Sequence, residues 1–191
     1  MKRWIPVIII SIAVMITFYF LNQAGLMKTK SAEELEKSME VIEWHTKWVK
    51  KYYQPWPPKL ILVPAISFKI KNISDKPIKY VNFNAIFRRR NDYENMGDCF
   101  LAAIRAKPVL PGEISDEILL ASNYGVEGKT KASFPNNPYW KVVVCKLYAS
   151  SSGSPFIHLG DYTVTKTIDF EEPEEVGIKP ADIKEEKRSR I

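Results

Sequence analysis

The first and longest apolar run of the chain covers residues 4–21, which carry no charged side chain and follow Lys2 and Arg3. At about 1.5 Å of rise per residue, a helix of this length reaches across a hydrocarbon core of about 30 Å. We therefore predict a transmembrane anchor within residues 1–24 that contacts membrane lipid through residues 4–21. A secretory signal has a shorter apolar core that ends at small residues, so the pattern favours a retained anchor over a cleaved one.

Basic residues beside this run set its expected orientation, since an excess of Lys and Arg marks the cytoplasmic side of a membrane. Lys2, Arg3 and the terminal amine precede the run, and Lys28 and Lys30 follow it. A short tail before the run and a long domain after it favour a cytoplasmic N-terminus. This predicts a single-pass membrane protein whose residues 25–191 lie outside the cytoplasm, in a periplasmic or extracellular space.

After the predicted anchor, the apolar positions take on a helical period. Ser31 and Glu34 have the spacing of a capping box, and Pro55 marks a point that a helix cannot pass. The pattern predicts an amphipathic juxtamembrane helix from about residue 32 to residue 53. Its apolar residues fall on two stripes, whereas a helix that only covers its own domain needs one.

The second stripe contains Trp44, Trp48 and Tyr52. Trp and Tyr are enriched among the residues that dominate the energy of protein interfaces, so these three side chains are candidates for binding a protein partner. The alternative is structural. The helix would then lie in a groove of the following domain, or its aromatic rings would rest on the lipid surface.

From residue 60 onward, apolar and polar residues alternate in short runs separated by turn residues, which is typical of an antiparallel β-sandwich. Ile66, Phe68 and Ile70 alternate with polar residues, and a second alternating run covers residues 81–87. The short turn between these runs predicts a hairpin. Further strands are predicted within residues 100–106, 114–121, 140–148 and 162–170.

These elements predict a mainly β chain in four parts. The parts are an anchor at 1–24, the juxtamembrane helix with a Pro-rich linker at 25–58, a β-sandwich at 59–170 and a tail at 171–191. The tail is rich in Glu, Lys and Pro and poor in aromatic residues, a composition that predicts a flexible, charged segment.

The chain has two cysteines, Cys99 and Cys145. In an oxidising compartment they could form one disulfide, worth about 4 kcal/mol if unstrained, and otherwise they are two unpaired thiols. Cys145 shares a strand face with Val143 and Leu147, which predicts that it is buried. No C-x-x-C pair is present, so redox catalysis and metal binding have little support.

One stretch of the predicted sandwich resembles known domains. It combines Ile70-Lys71-Asn72-Ile73-Ser74, the alternating run that ends at Phe87, and Val109-Leu110-Pro111-Gly112-Glu113. This succession resembles the FxLYD-type and related late-embryogenesis-abundant domains, although Ala85-Ile86-Phe87-Arg88 stands where they have a Leu-Tyr-Asp-like ending. The resemblance covers about residues 60–150. It implies an immunoglobulin-like fold and the role of a non-catalytic, extracytoplasmic interaction or accessory module.

Arg88, Arg89 and Arg90 form the densest basic cluster of the predicted domain. They are candidates for binding an acidic partner, a lipid head group or a glycan phosphate. The alternative is a solvated strand end that discourages aggregation. The net charge of +6 is spread along the chain, so we predict no binding of nucleic acid.

The sequence gives little support for catalysis. His45 and His158 are the only histidines and lie far apart in the sequence, and no G-x-S-x-G, H-E-x-x-H or phosphate-binding loop occurs. The acidic residues Asp92, Glu94 and Asp98 lack the twelfth-position glutamate of an EF-hand. We therefore predict no enzyme activity, no metal site and no cofactor.

Together these patterns predict a membrane-anchored, extracytoplasmic interaction module, an accessory subunit of a membrane-associated assembly. The helix aromatics and one edge of the sandwich would make its contacts. The alternative is a free-standing binder of a small molecule, lipid or cell-envelope polymer through residues 88–98.

Overall fold

A computed structural model describes residues 5–23, 32–151 and 153–173. Residues 1–4, the basic residues Lys28 and Lys30, and the predicted tail from residue 174 onward lie outside the described residues.

The described residues form two α-helices, one short 3₁₀-helix at Lys131–Asn136, and nine strands. The α-helices are α1 (Ile5–Gln23) and α2 (Ala32–Glu36). The strands are β1 (Met39–Gln54), β2 (Lys59–Asn72), β3 (Val81–Arg89), β4 (Asn95–Ile104), β5 (Ile118–Ala121), β6 (Val126–Gly128), β7 (Val143–Ser151), β8 (Ile157–Thr163) and β9 (Ile168–Asp169).

The strands pair into two sheets that share one core, so the predicted mainly β sandwich is confirmed. The first sheet has the order β5-β2-β1-β9, with β6 also paired to β2, and the second has the order β4-β3-β7-β8. All pairs are antiparallel except β1 with β9. The order leaves β4 and β8 at the two edges of the second sheet.

Aromatic side chains from both sheets fill the space between them. Phe68 of β2 meets Phe83 of β3 edge to face, with ring centroids 5.2 Å apart. Trp48 of β1 lies against Trp140, and Trp140 in turn packs against Phe134 of the 3₁₀-helix. These contacts hold the sheets face to face. The burial of apolar surface between the sheets is the main term that stabilises a domain of this kind.

The predicted membrane anchor is overturned. Nowhere in the described part of the chain does a helix combine the length and apolarity needed to cross a bilayer. The longest helix of the described residues, α1, has 19 residues and ends in the polar pair Asn22 and Gln23. Two further predictions depended on this anchor and lose their basis. They are lipid contact through residues 4–21 and an extracytoplasmic location of residues 25–191.

The predicted juxtamembrane helix is also wrong, because only Ala32–Glu36 is helical and the rest of the segment forms β1. β1 pairs with β2 along its whole length, with register shifts between Ile42 and His45 and between Lys50 and Tyr52. Each shift inserts one extra residue into β1. Successive core-facing residues of this strand are therefore alternately two and five positions apart in the sequence. Those positions are Met39, Val41, Thr46, Trp48 and Tyr53. Their mean spacing is about 3.5 residues, close to the repeat of an α-helix, which explains the error.

The predicted hairpin of β2 and β3 does not form, because the two strands belong to different sheets. The fully buried Asn72 fixes the connection between them. Its side-chain amide donates hydrogen bonds to the carbonyl oxygens of Lys76 (2.9 Å) and Val109 (2.8 Å), and its Oδ1 accepts one from the backbone N–H of Ser74 (2.9 Å). The turn residues therefore carry the chain across the core instead of folding it back within one sheet.

Candidate functional site

The three aromatic residues predicted to bind a partner do not form one surface. Trp48 is buried in the core, with its ring centroid 4.2 Å from that of Trp140. Trp44 is 48% exposed and packs on Tyr162 of β8, with centroids 4.9 Å apart. Tyr52 is 43% exposed, and its hydroxyl donates a hydrogen bond to Gln54. Trp44 thus covers the side of the sandwich between β1 and β8. The three aromatic side chains do not form the single stripe that was predicted for a helix.

The arginine cluster lies at the end of β3 and borders a surface hollow of about 470 Å³. The hollow is lined by residues 88–93, Val144, Lys146 and Asp161. Arg88 donates from Nε to the carbonyl oxygen of Asp92, and the Asp92 carboxylate lies 3.8 Å from Nη1 of Arg89. Arg90 is exposed. Two of the three arginines are therefore engaged with their own loop, and Lys146 lies 4.0 Å from the Asp161 carboxylate, which leaves Arg90 as the cation best placed for an anionic ligand.

The two cysteines are unpaired. Cys99 of β4 stands opposite Ala85 of β3, and Cys145 of β7 stands opposite Phe87 on the other side of the same strand. Two strand spacings of about 4.8 Å separate them, more than the Cα separation that a disulfide spans. Burial, and to a lesser extent the Asp161 carboxylate, raises the pKa of the Cys145 thiol to about 12. Of the two alternatives, the structure therefore has the unpaired thiols.

A histidine and a carboxylate meet on the outer face of β8. Nε2 of His158 lies 2.7 Å from Oδ1 of Asp161, and Nζ of Lys146 lies 4.0 Å from Oδ2 of the same carboxylate. The His158 ring also packs against Tyr148, with centroids 5.2 Å apart. Among residues 5–23, 32–151 and 153–173, no group of three His, Cys, Asp or Glu side chains is arranged to hold a metal ion.

The longest open strand edge belongs to β4, which is paired with β3 on one side only. The backbone carbonyl of Asp98 points away from β3, because it accepts a hydrogen bond from the N–H of Asn123 (3.2 Å). Backbone groups alternate in direction along an antiparallel strand. The N–H and C=O groups of Phe100 and Ala102 therefore also point away from β3 and face the open side.

The middle of this edge, residues 99–102, has no charge, no proline and no register shift, whereas the pairing of β4 with β3 is shifted near both ends of β4. Residues 99–104 contain no charged residue and no proline, whereas natural edge strands are usually short, charged or bulged. Phe100 is 57% exposed and Leu101 is 39% exposed. The other edges differ, because β9 has two residues, β5 has four, and β8 carries His158 and Asp161.

A groove of about 690 Å³ runs beside the open edge of β4. It is lined by residues 101–109 on one bank and residues 113–119 on the other. Ile114 and Leu119 on the second bank are about half exposed. One ion pair crosses the groove, from Lys107 to Asp116 at 3.3 Å, and both of its side chains are highly exposed, so opening it costs little. Ala102 lines the groove, so an extended segment lying in it would reach the backbone groups of Ala102 at the open edge.

Sequence reasoning predicted a strand at residues 100–106 but did not identify it as a binding edge. The available signal was the uncharged run of residues 99–104 in a chain in which 26% of the residues are charged. Which strand lies at an edge depends on the pairing order, and the alternating pattern of β4 alone does not contain that order.

Comparisons with known proteins do not place the chain in a family. No protein-family model matches it, and no curated protein matches its sequence significantly. Among solved structures, it is similar to a β-glucuronidase from glycoside hydrolase family 2 (10% identity, 62% of this chain, TM-score 0.39). It is also similar to a Bordetella pertussis protein described as ApaA (12% identity, 67% of this chain and 93% of the other, TM-score 0.36). The chain spans 10% of the length of the β-glucuronidase. No family and no activity follow from these likenesses, and the resemblance to FxLYD-type domains stays a prediction.

Proposed function

We propose that this chain is a non-catalytic interaction module, an accessory subunit that joins a protein assembly through the open edge of β4. The observation that carries the proposal is the uncharged strand edge on which the backbone groups of Phe100 and Ala102 point away from β3, with Ala102 lining the groove and Phe100 two positions before it in the sequence. Proteins bind extended segments at such edges by adding a strand, and the backbone hydrogen bonds contribute much of the affinity. Phe100 and Leu101 add exposed apolar surface beside those bonds.

A pair of substitutions at one position tests this proposal. Ala102→Pro removes the outward N–H without removing a hydrogen bond to β3, and proline is tolerated where an edge N–H faces solvent. Ala102→Val is the matched control, because it adds bulk at the same position and keeps the N–H. The full-length chain and both variants are isolated from their own cells under mild conditions, and the size and composition of each particle are measured.

The proposal predicts that the unmodified chain and Ala102→Val migrate in a particle larger than one chain, with companion proteins or a further copy of the chain, and that Ala102→Pro loses them. The unfolding midpoint of Ala102→Pro must stay close to that of Ala102→Val, so that the loss is not due to unfolding. An unmodified chain that migrates as a monomer, or a folded Ala102→Pro variant that keeps every companion, would overturn the proposal.

A second candidate function is binding of an anionic small molecule or polymer at the hollow beside β3. The observation in its favour is the juxtaposition of Arg90 and Lys146 at a hollow of about 470 Å³, next to Tyr93, which is 94% exposed. Titration with inorganic phosphate, followed by calorimetry, tests it. Binding that is lost in Arg90→Gln and kept in Ala102→Pro would favour this function, and the absence of binding by the unmodified chain would exclude it for phosphate.

A further inference from the structure

The open edge of β4 is complementary to itself when two copies run antiparallel. A two-fold axis at Leu101 would set Phe100 of each copy opposite Ala102 of the other. Both residues point their backbone groups away from β3, so these two positions exchange four hydrogen bonds across the axis. A register centred on Phe100 would also use Asp98, whose carbonyl already accepts a hydrogen bond from Asn123, whereas the register centred on Leu101 uses Phe100 and Ala102 alone.

The side chains agree with this register. A large Phe100 meets a small Ala102 on the outer face, twice by symmetry, and opposite positions on neighbouring strands pack best when their volumes are complementary. Leu101 meets Leu101 of the second copy on the inner face, where both are 39% exposed in the single chain. Pairing would bury these apolar side chains on both copies.

The charges at the ends of the segment agree as well. Asp98 precedes the uncharged run and Arg105 follows it, and both side chains are exposed. An antiparallel arrangement brings the acidic end of one copy towards the basic end of the other, whereas a parallel arrangement would bring like charges together. Two-fold symmetry repeats the favourable contact.

We infer that the occupant of the β4 edge is a second copy of this chain, paired antiparallel across Leu101 to join the two four-stranded sheets into one. The inference rests on the proposed function, since it names the partner of the same edge. It fixes both the axis and the register, so it can be tested at single positions.

Cysteine cross-linking tests the register directly. Leu101 sits at a non-hydrogen-bonded pair on the axis, where Cα atoms lie about 4.5 Å apart, within the range that a disulfide spans. Leu101→Cys is placed in a Cys99→Ser background of the full-length chain, and Tyr139→Cys in the same background is the control, because Tyr139 is exposed and lies outside β4. Under mild oxidation, the Leu101→Cys chain should become a dimer of twice 22.0 kDa at least about tenfold faster than the control.

Charge reversal tests the orientation. Asp98→Arg and Arg105→Asp should each weaken self-association by about tenfold, measured as the dimer dissociation constant by sedimentation, and the double variant should recover it. Cross-linking of Leu101→Cys no faster than that of Tyr139→Cys, with a monomeric unmodified chain, would overturn the inference. The proposed function survives that result if Ala102→Pro still loses other companion proteins, and it fails separately if Ala102→Pro loses nothing.

Discussion

The indole rings of Trp48 and Trp140 lie with their centroids 4.2 Å apart and an interplanar angle of 36°. Trp48 belongs to the middle of β1, while Trp140 lies in the connection that leads into β7. The contact therefore joins the two sheets through residues distant in sequence. Trp48 therefore stabilises the fold, and it is too deeply buried to bind a partner.

Replacing Trp48 should destabilise the domain strongly. Trp48→Ala removes a fully buried ring and is expected to lower the free energy of unfolding by about 3–5 kcal/mol. Trp44→Ala is the matched control, because Trp44 is on the same strand but half exposed, and it should cost about 1 kcal/mol. Urea-induced unfolding followed by circular dichroism measures both, and equal losses would contradict the assignment.

The buried Asn72 makes a second stability prediction. Asn72→Ala removes the two donors that hold the Lys76 and Val109 carbonyls and is expected to cost about 2 kcal/mol. The neighbouring Ile73 is exposed, so Ile73→Ala should change the free energy of unfolding by less than about 0.5 kcal/mol. Chemical unfolding of the two variants checks the difference, and a neutral Asn72→Ala would show that the crossing between the sheets does not depend on this side chain.

The two thiols should differ in reactivity. Cys99 is partly exposed, whereas Cys145 is fully buried in the core, and only an accessible thiolate reacts with alkylating reagents. Native protein treated with iodoacetamide should be labelled at Cys99, and Cys145 should react only after denaturation. Peptide mass spectrometry identifies the site, and rapid native labelling at Cys145 would contradict the packing described above.

Stability should fall at alkaline pH because of Cys145. Burial raises the pKa of its thiol from 9.0 to about 12 in the folded state, so between these values the unfolded state releases the proton first. The free energy of unfolding then decreases as pH rises, by up to about 1.4 kcal/mol per pH unit from this one group. Tyrosines and lysines titrate in the same range, so the measured quantity is the difference between the unmodified chain and Cys145→Ala. If the difference in the free energy of unfolding between the unmodified chain and Cys145→Ala stayed constant from about pH 8 to about pH 11, this prediction would be contradicted.

The sequence predicted the sandwich well where alternation is regular. Ile66, Phe68 and Ile70 face the core as their period of two requires. It failed at β1, because two register shifts give the core-facing residues of this strand a nearly helical spacing. It also failed to separate β2 from β3, since an alternating run looks the same whether the next strand pairs with it or crosses to the other sheet.

The candidate site was less accessible to sequence reasoning than the core. Phe100 and Leu101 read as ordinary strand residues, and only the pairing order places them at an open edge. Trp44 and Tyr52 attracted attention as aromatic residues, yet Trp44 packs on Tyr162 and Tyr52 bonds to Gln54. Residue type indicated which side chains favour interfaces, but their exposure and neighbours depend on contacts far apart in the sequence.

Amide hydrogen exchange along β4 reports whether the open edge of this strand is the surface that a partner covers. In the dilute full-length chain, the N–H groups of Phe100 and Ala102 should exchange quickly, while those of Cys99 and Leu101, which face β3, should be protected. In the assembled state, or at high concentration of the chain, protection should extend to Phe100 and Ala102. Protection of all four amides in the dilute chain would show that the edge is already closed. An assembly that leaves Phe100 and Ala102 in fast exchange would show that its contacts lie elsewhere.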